Sequence, residues 1–130
     1  MANVIVAGAA GRMGRLLVAM LSRDPAHKLV GAVEAPGVPA LGSDAGETAG
    51  VGVLGVKIGA DYAALARPDT VTLDFTTAAA SLEHLEAAVK GGAAIVIGST
   101  GFTPDLEKRA REIAPQIGRA SCRERVYLCV

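Results

Sequence analysis

Between Asn3 and Leu21 the chain reads NVIVAGAAGRMGRLLVAML, and no other stretch limits the fold as much. Asn3 to Ala7 is a short β-prone apolar run closed by Gly8, which reads as a buried strand. Met13, Leu16, Leu17, Met20 and Leu21 then recur at the spacing of one face of an amphipathic helix. Gly8, Gly11 and Gly14 stand at the passage from one to the other. A strand that turns this abruptly into a helix leaves the first helical N–H groups unpaired, and the helix dipole adds partial positive charge there. A phosphate binds at such a place when no side chain blocks it. Gly8 permits the sharp turn, Gly11 lets backbone approach a pyrophosphate, and Gly14 lets the helix pack closely on the strand. Arg12 can add a charge beside the phosphates.

The alternation of strand and helix continues. The helix stops near Asp24-Pro25, and Lys28 to Glu34 (KLVGAVE) reads as a second strand. Residues 35–50 carry Pro, Gly, Ser and Asp without periodicity and read as a long loop, a feature often tied to function. Val51 to Ile58 holds a short strand, and Asp61 to Ala66 a short helix ended by Pro68. Thr70 to Phe75 (TVTLDF) is a third buried strand, after which Thr76-Thr77 can cap a helix with Leu82, Leu85, Ala88 and Val89 on its apolar face. Gly91-Gly92 end that helix. Ala93 to Ile97 is a fourth buried strand closed by GSTG, and Thr103-Pro104 start a helix whose buried face holds Leu106, Ala110 and Ile113. Strands that are apolar throughout, alternating with helices, predict an α/β fold: a doubly wound, Rossmann-like parallel sheet covered on both faces.

Composition narrows the function classes. Thirteen basic residues balance thirteen acidic ones, so no global field favours nucleic acid or a membrane surface. Aromatics are 3% of the chain, too few for base-stacking platforms. No run approaches the length of a membrane span, and the first apolar run lacks the basic segment of a secretory signal. The expectation is a cytoplasmic protein. Cys122 and Cys129 both lie near the C-terminus, so the body of the chain has no thiol chemistry and no metal-type cysteine cluster.

A dinucleotide fingerprint also wants an acidic residue about 20 positions on, at the end of the second strand, to accept hydrogen bonds from the adenosine ribose. Glu34 stands there. Taken alone, the glycines also fit a tight turn that binds nothing, and Glu34 a solvated strand end. Five segments in order go further: GAAGRMG (Gly8 to Gly14), AVE ending at Glu34, LGSDAGE (Leu41 to Glu47), LDFT (Leu73 to Thr76) and VIGSTGF (Val96 to Phe102). Together they resemble the N-terminal part of the 4-hydroxy-tetrahydrodipicolinate reductase (dihydrodipicolinate reductase) family of bacterial lysine biosynthesis.

The resemblance implies a cofactor site of NADH or NADPH on matched positions. Gly8, Ala9, Ala10, Gly11, Arg12 and Met13 would form the phosphate turn, and Glu34 would hold the adenosine ribose. Phe75 and Thr76 would lie beside the nicotinamide half, with Gly98, Ser99 and Thr100 contacting its ribose or ring. Many members carry Arg directly after the Glu, where it can meet a 2′-phosphate; here Ala35 stands there, which favours NADH. Ser99 replaces a commoner Thr and keeps the hydroxyl.

The implied activity is NAD(P)H-dependent reduction of a small dicarboxylate substrate, by a homotetramer when full length. The family's paired histidines and lysine belong to a second, catalytic domain not expected here. No catalytic residue is therefore assigned, and His27 and His84 read as ordinary surface histidines. Two rival readings are a different nicotinamide oxidoreductase of the same fold, of the aspartate or homoserine dehydrogenase type, and a nucleotide-binding module without chemistry. The set LGSDAGE plus VIGSTGF favours the reductase. The domain is expected over residues 1–116, incomplete at its C-terminus. Residues 117–130 are expected to be a non-native tail, since IGRASCRERV resembles the conceptual translation of a sequencing adapter. The apolar VYLCV within it can add to a sheet edge or stay free of one.

Overall fold

The computed structural model describes residues 2–99 and 101–113 and the backbone of residues 126–128. Strand β1 (Ala2–Ala7) leads into helix α1 (Arg12–Leu21), then β2 (His27–Val33), the short helix α2 (Ala45–Thr48) and β3 (Ile58–Gly59). β4 (Thr70–Asp74), α3 (Ala78–Gly91), β5 (Ala94–Ile97), α4 (Pro104–Ile113) and β6 (Val126–Leu128) follow. The strands form one sheet in the order β3-β2-β1-β4-β5-β6, and every neighbouring pair is parallel. This is the doubly wound, Rossmann-like order, in which the chain starts in the middle and winds outward in both directions. Register aligns Ala7 with Val33 on one side and with Asp74 on the other, and Asp74 with Ile97. The carboxyl ends of β1, β2, β4 and β5 therefore share one edge.

Two apolar layers flank the sheet. On one face Ile5, Val33, Leu85, Ala88, Ile95 and Ile97 join Tyr62, Ala66 and Ala110 under α3 and α4. On the other, Val6, Val18, Leu29, Ala32, Ala45 and Ile58 pack beneath α1 and α2. Ile5, Leu85, Ile95 and Ile97 are wholly buried, each worth about 1.5–3 kcal/mol of burial.

Several expectations are corrected. The buried stripe of α1 runs through Gly14 and Val18, flanked by the half-buried Leu17 and Leu21, while Met13, Leu16 and Met20 are exposed. The helix is turned because Gly14, having no Cβ, sits against the strand; contact geometry outranks side-chain hydrophobicity. β4 is not apolar throughout: its deeply buried positions are Thr70, Thr72 and Asp74, and Val71 and Leu73 are half-buried. The supposed loop over 35–50 contains α2, and only Ile58 and Gly59 of the 51–59 region pair as a strand. Asp61 to Ala66 makes one turn, closed by the N–H groups of Leu65 and Ala66 on the Tyr62 carbonyl (2.9 and 3.1 Å), not a helix. Tyr62 is drawn into the core there, and Pro68 leaves no room for a second turn. His27 opens β2 rather than lying in a loop. The end of α3 is as expected, with Gly92 left-handed at φ 73°. At the sheet edge the tail contributes β6, alongside β5. Residues 114–125, and with them Cys122 and most of the adapter-like stretch, lie outside the described residues, as does Cys129.

Candidate functional site

The glycine turn is built as its residue types require. Gly8 takes φ +83°, in the left-handed region, and its N–H and that of Ala9 both donate to the Val33 carbonyl (2.9 and 3.2 Å). The turn is thereby stitched to the end of β2, one residue before Glu34. Gly11 N–H closes the bend on the Gly8 carbonyl (3.0 Å). A Cβ on Gly14 would collide with the Gly8 carbonyl oxygen and come within 2.7 Å of its carbon, so only glycine lets α1 start this close to β1. Gly11 is the N-cap of α1, no side chain caps the helix, and no acidic residue sits in its first turn. The helix opens on the exposed Arg12 and Met13, while Ala9 is buried and Ala10 half-buried.

Glu34 follows the last residue of β2. Its N–H donates to the Gly59 carbonyl (2.9 Å), which fixes the backbone, while its carboxylate accepts no hydrogen bond among the described residues. Partial burial raises its pKa above the ordinary 4.5, against an opposing pull from His84. A half-buried carboxylate whose lone pairs take no hydrogen bond among the described residues, near an uncapped helix start, can accept from two vicinal hydroxyls. These features fit a dinucleotide: an anion-binding turn without blocking side chains and an unused acceptor next to it.

Phe75, Thr76, Gly98 and Ser99 are brought to the same edge. Gly98 N–H donates to the Asp74 carbonyl (2.8 Å), and a Cβ on Gly98 would strike the Phe75 ring. Phe75 N–H reaches the Ala7 carbonyl at 3.3 Å, and a Cβ on Gly8 would lie 3.1 Å from the Phe75 carbonyl and 3.2 Å from Thr76 Cγ2. Thr100 lies outside the described residues. Ser99 is 3% exposed, and its hydroxyl meets Ser81 Oγ at 2.6 Å inside the molecule. Its side chain thus points into the core, which leaves backbone for a ligand.

That hydroxyl belongs to a buried network the sequence did not announce. Asp74 Oδ1 accepts from Thr76 N–H (3.0 Å) and Thr76 Oγ1 (2.6 Å); Thr76 Oγ1 lies 3.3 Å from Ser81 Oγ. Asp74 Oδ2 lies 2.8 Å from His84 Nδ1, and since an ionised carboxylate only accepts, that nitrogen carries the proton. Burial pushes the Asp74 carboxyl up, but the bonds from His84 and Thr76 together hold it below the ordinary 3.8. His84 also packs edge-on against Tyr62, with ring centroids 5.1 Å apart. The surface reading of His84 is therefore corrected: its side chain is 16% exposed and tied to a carboxylate that is 0% exposed. The helix turns His84 inward because a buried Asp74 requires a donor. The only sequence signal was the charged residue ending TVTLD. His27 fits its surface reading, exposed and 2.7 Å from Asp24.

LGSDAGE also acquires a structural account. Asp44 caps α2, with Oδ1 accepting from the N–H groups of Gly46, Glu47 and Leu54 (2.8, 3.1 and 3.0 Å) and Oδ2 from Gly55 (2.8 Å). Those four donors, Leu54 foremost, hold its carboxyl below 3.8. Gly46 is required because a Cβ there would run into the Gly52 carbonyl.

A family model described as dihydrodipicolinate reductase, N-terminus, matches residues 2–123. The chain belongs to the dihydrodipicolinate reductase family. It is 48% identical over 118 residues to the 4-hydroxy-tetrahydrodipicolinate reductase of Anaeromyxobacter dehalogenans, covering 90% of this chain and 43% of that protein. It is 44% identical over 117 residues to that of Citrifermentans bemidjiense, covering 90% and 44%. The chain thus spans less than half the length of these family members. Among solved structures, a dipicolinate-bound dihydrodipicolinate reductase from Paenisporosarcina sp. TG-14 superposes with TM-score 0.66 at 23% identity, covering 88% of this chain and 43% of that one. An amine dehydrogenase from Mycobacterium smegmatis gives 0.65 at 20% identity, over 88% and 36%, a likeness of fold alone. A nicotinamide cofactor is the family's, and among the described residues no helix is long and apolar enough to cross a membrane.

Proposed function

We propose that the chain is the cofactor-binding part of an NAD(P)H-dependent 4-hydroxy-tetrahydrodipicolinate reductase. In the lysine (diaminopimelate) pathway that enzyme yields tetrahydrodipicolinate from a small dicarboxylate. The reading rests on family membership. The observation that carries it within the molecule is the pairing of an uncapped helix start at Gly11 with the Glu34 carboxylate, which accepts no hydrogen bond among the described residues. Backbone N–H groups from Gly11 onward, with Arg12 beside them, bind the pyrophosphate. Glu34 accepts the adenosine ribose hydroxyls. Phe75, Thr76, Gly98, Ser99 and Thr100 border the nicotinamide half at the ends of β4 and β5. When bound, the reduced nicotinamide supplies the hydride. The chain's own share is orientation: it holds the dinucleotide extended along one sheet edge, so that its reactive end is presented to substrate held by the rest of a full-length enzyme. That enzyme acts in the cytoplasm, as a homotetramer. Calorimetric titration of the chain with NADH and NADPH tests the reading. Saturable binding of one or both, lost on substitution of Gly11 by a bulky side chain, supports it; binding of neither overturns it.

A further inference from the structure

We propose that Asp74 is a positioning residue for the nicotinamide side of the site, acting through Thr76, Ser81 and Ser99; this rests on the cofactor reading above. Asp74 is the one carboxylate wholly buried among the described residues, at the carboxyl end of the strand between β1 and β5. A buried charge of this kind adds little to stability compared with an apolar side chain of similar size, and it persists only when its lone pairs are satisfied. Here both oxygens are engaged, and their partners lead to the site. Oδ1 takes the N–H and hydroxyl of Thr76, fixing the bend at Phe75-Thr76 that lies against Gly8. From Thr76 the hydroxyls of Ser81 and Ser99 continue the chain, at 3.3 and 2.6 Å, ending two residues past β5. The Asp74 carbonyl meanwhile takes the N–H of Gly98. One residue thus sets, through side chain and backbone, the spacing between the β4 and β5 ends. His84 closes the network from α3 by satisfying Oδ2. No hydrogen bond of the network reaches Gly11 or the Glu34 carboxylate; Thr76 meets the turn only by packing against Gly8 and His84 bears on Glu34 only through charge, so the larger effect falls on the nicotinamide half.

The test measures the affinity of the whole chain for NADH and for ADP, which carries the adenosine and pyrophosphate but no nicotinamide. Asp74→Asn keeps an acceptor for Thr76 and places a donor against His84; Ser81→Ala cuts the link from Thr76 to Ser99 and leaves both of those residues in place. The expected result is an NADH affinity weakened about fivefold to tenfold in either variant, the scale of one hydrogen bond, with ADP affinity changed less than about twofold. Should Asp74→Asn fail to fold, Ser81→Ala carries the comparison, with its melting curve as the control. Unchanged NADH affinity overturns the proposal. Equal weakening of NADH and ADP also overturns it, because that is the signature of general loosening. A wild-type chain that binds ADP but not NADH overturns it while leaving the glycine turn standing, and one that binds neither overturns the cofactor reading itself.

Discussion

At the adenosine end of the proposed site the residue to test is a single carboxylate, Glu34. If Glu34 accepts the ribose hydroxyls, Glu34→Ala weakens NADH binding by about 1.5–3 kcal/mol, the size of hydrogen bonds to a charged group, as read by titration calorimetry. The ionised form alone accepts from both hydroxyls, and partial burial raises the pKa of Glu34 in the free chain. NADH affinity is therefore full well above that pKa and falls as the pH drops through it, starting above the 4.5 of an ordinary glutamate. Glu34→Gln flattens that part of the profile. Ala35 beside it offers no cation to a 2′-phosphate, so NADH is expected to bind at least as tightly as NADPH, and Ala35→Arg to move the ratio of the two dissociation constants, read by the same titration, toward NADPH. Gly14 is constrained by space: Gly14→Ala drives a methyl into the Gly8 carbonyl, separating helix from strand. A loss of about 2 kcal/mol or more in chemical denaturation is expected, in the range of overpacked contacts.

Between elements, the segment joining β2 to β3 depends on Asp44. Its carboxylate satisfies the start of α2 and the N–H groups of Leu54 and Gly55 together, drawing two distant parts of one long connection into contact. Asp44→Ala leaves four backbone donors to water, and a melting temperature lower by about 5 °C or more is expected from thermal denaturation. Its pKa is lowered by those bonds, so its contribution is present above the ordinary 3.8 and is lost as the pH falls through the lower folded value. Asp74 behaves with the same sign for a different reason, its donors being a histidine ring and a threonine. Periodicity could not find α2, because four residues make barely one turn, too short to show an apolar stripe, and the helix start is held by the Asp44 carboxylate.

At the scale of the molecule, the sheet presents the carboxyl ends of four strands in line, and the proposed site runs along that edge. The chain spans 43–44% of the length of its relatives. On the proposed division of labour, these 130 residues by themselves are expected to bind cofactor without turning over substrate. The check is NADH oxidation with freshly generated substrate, compared with a full-length relative; turnover near that of the full-length enzyme would sink the division of labour between binding and chemistry.

What the sequence determined by itself is local. The strand–glycine–helix passage, Glu34 at the end of the second strand and the helix end at Gly92 are fixed by conformational demands within a few residues: a positive φ, a missing Cβ, a hydrophobic period. The parallel, doubly wound sheet follows from repeating such units, because short connections leave few ways to stack them. Only the tertiary structure decided which face of α1 is buried, since that depends on Gly14 meeting a carbonyl across the turn. It alone showed that Ser99 points inward and that His84 is tied to Asp74, ten positions away in the chain. Those pairings join side chains that no period relates. A buried charge must find its donors wherever the packed elements place them, and that is settled only when the sheet and α3 come together.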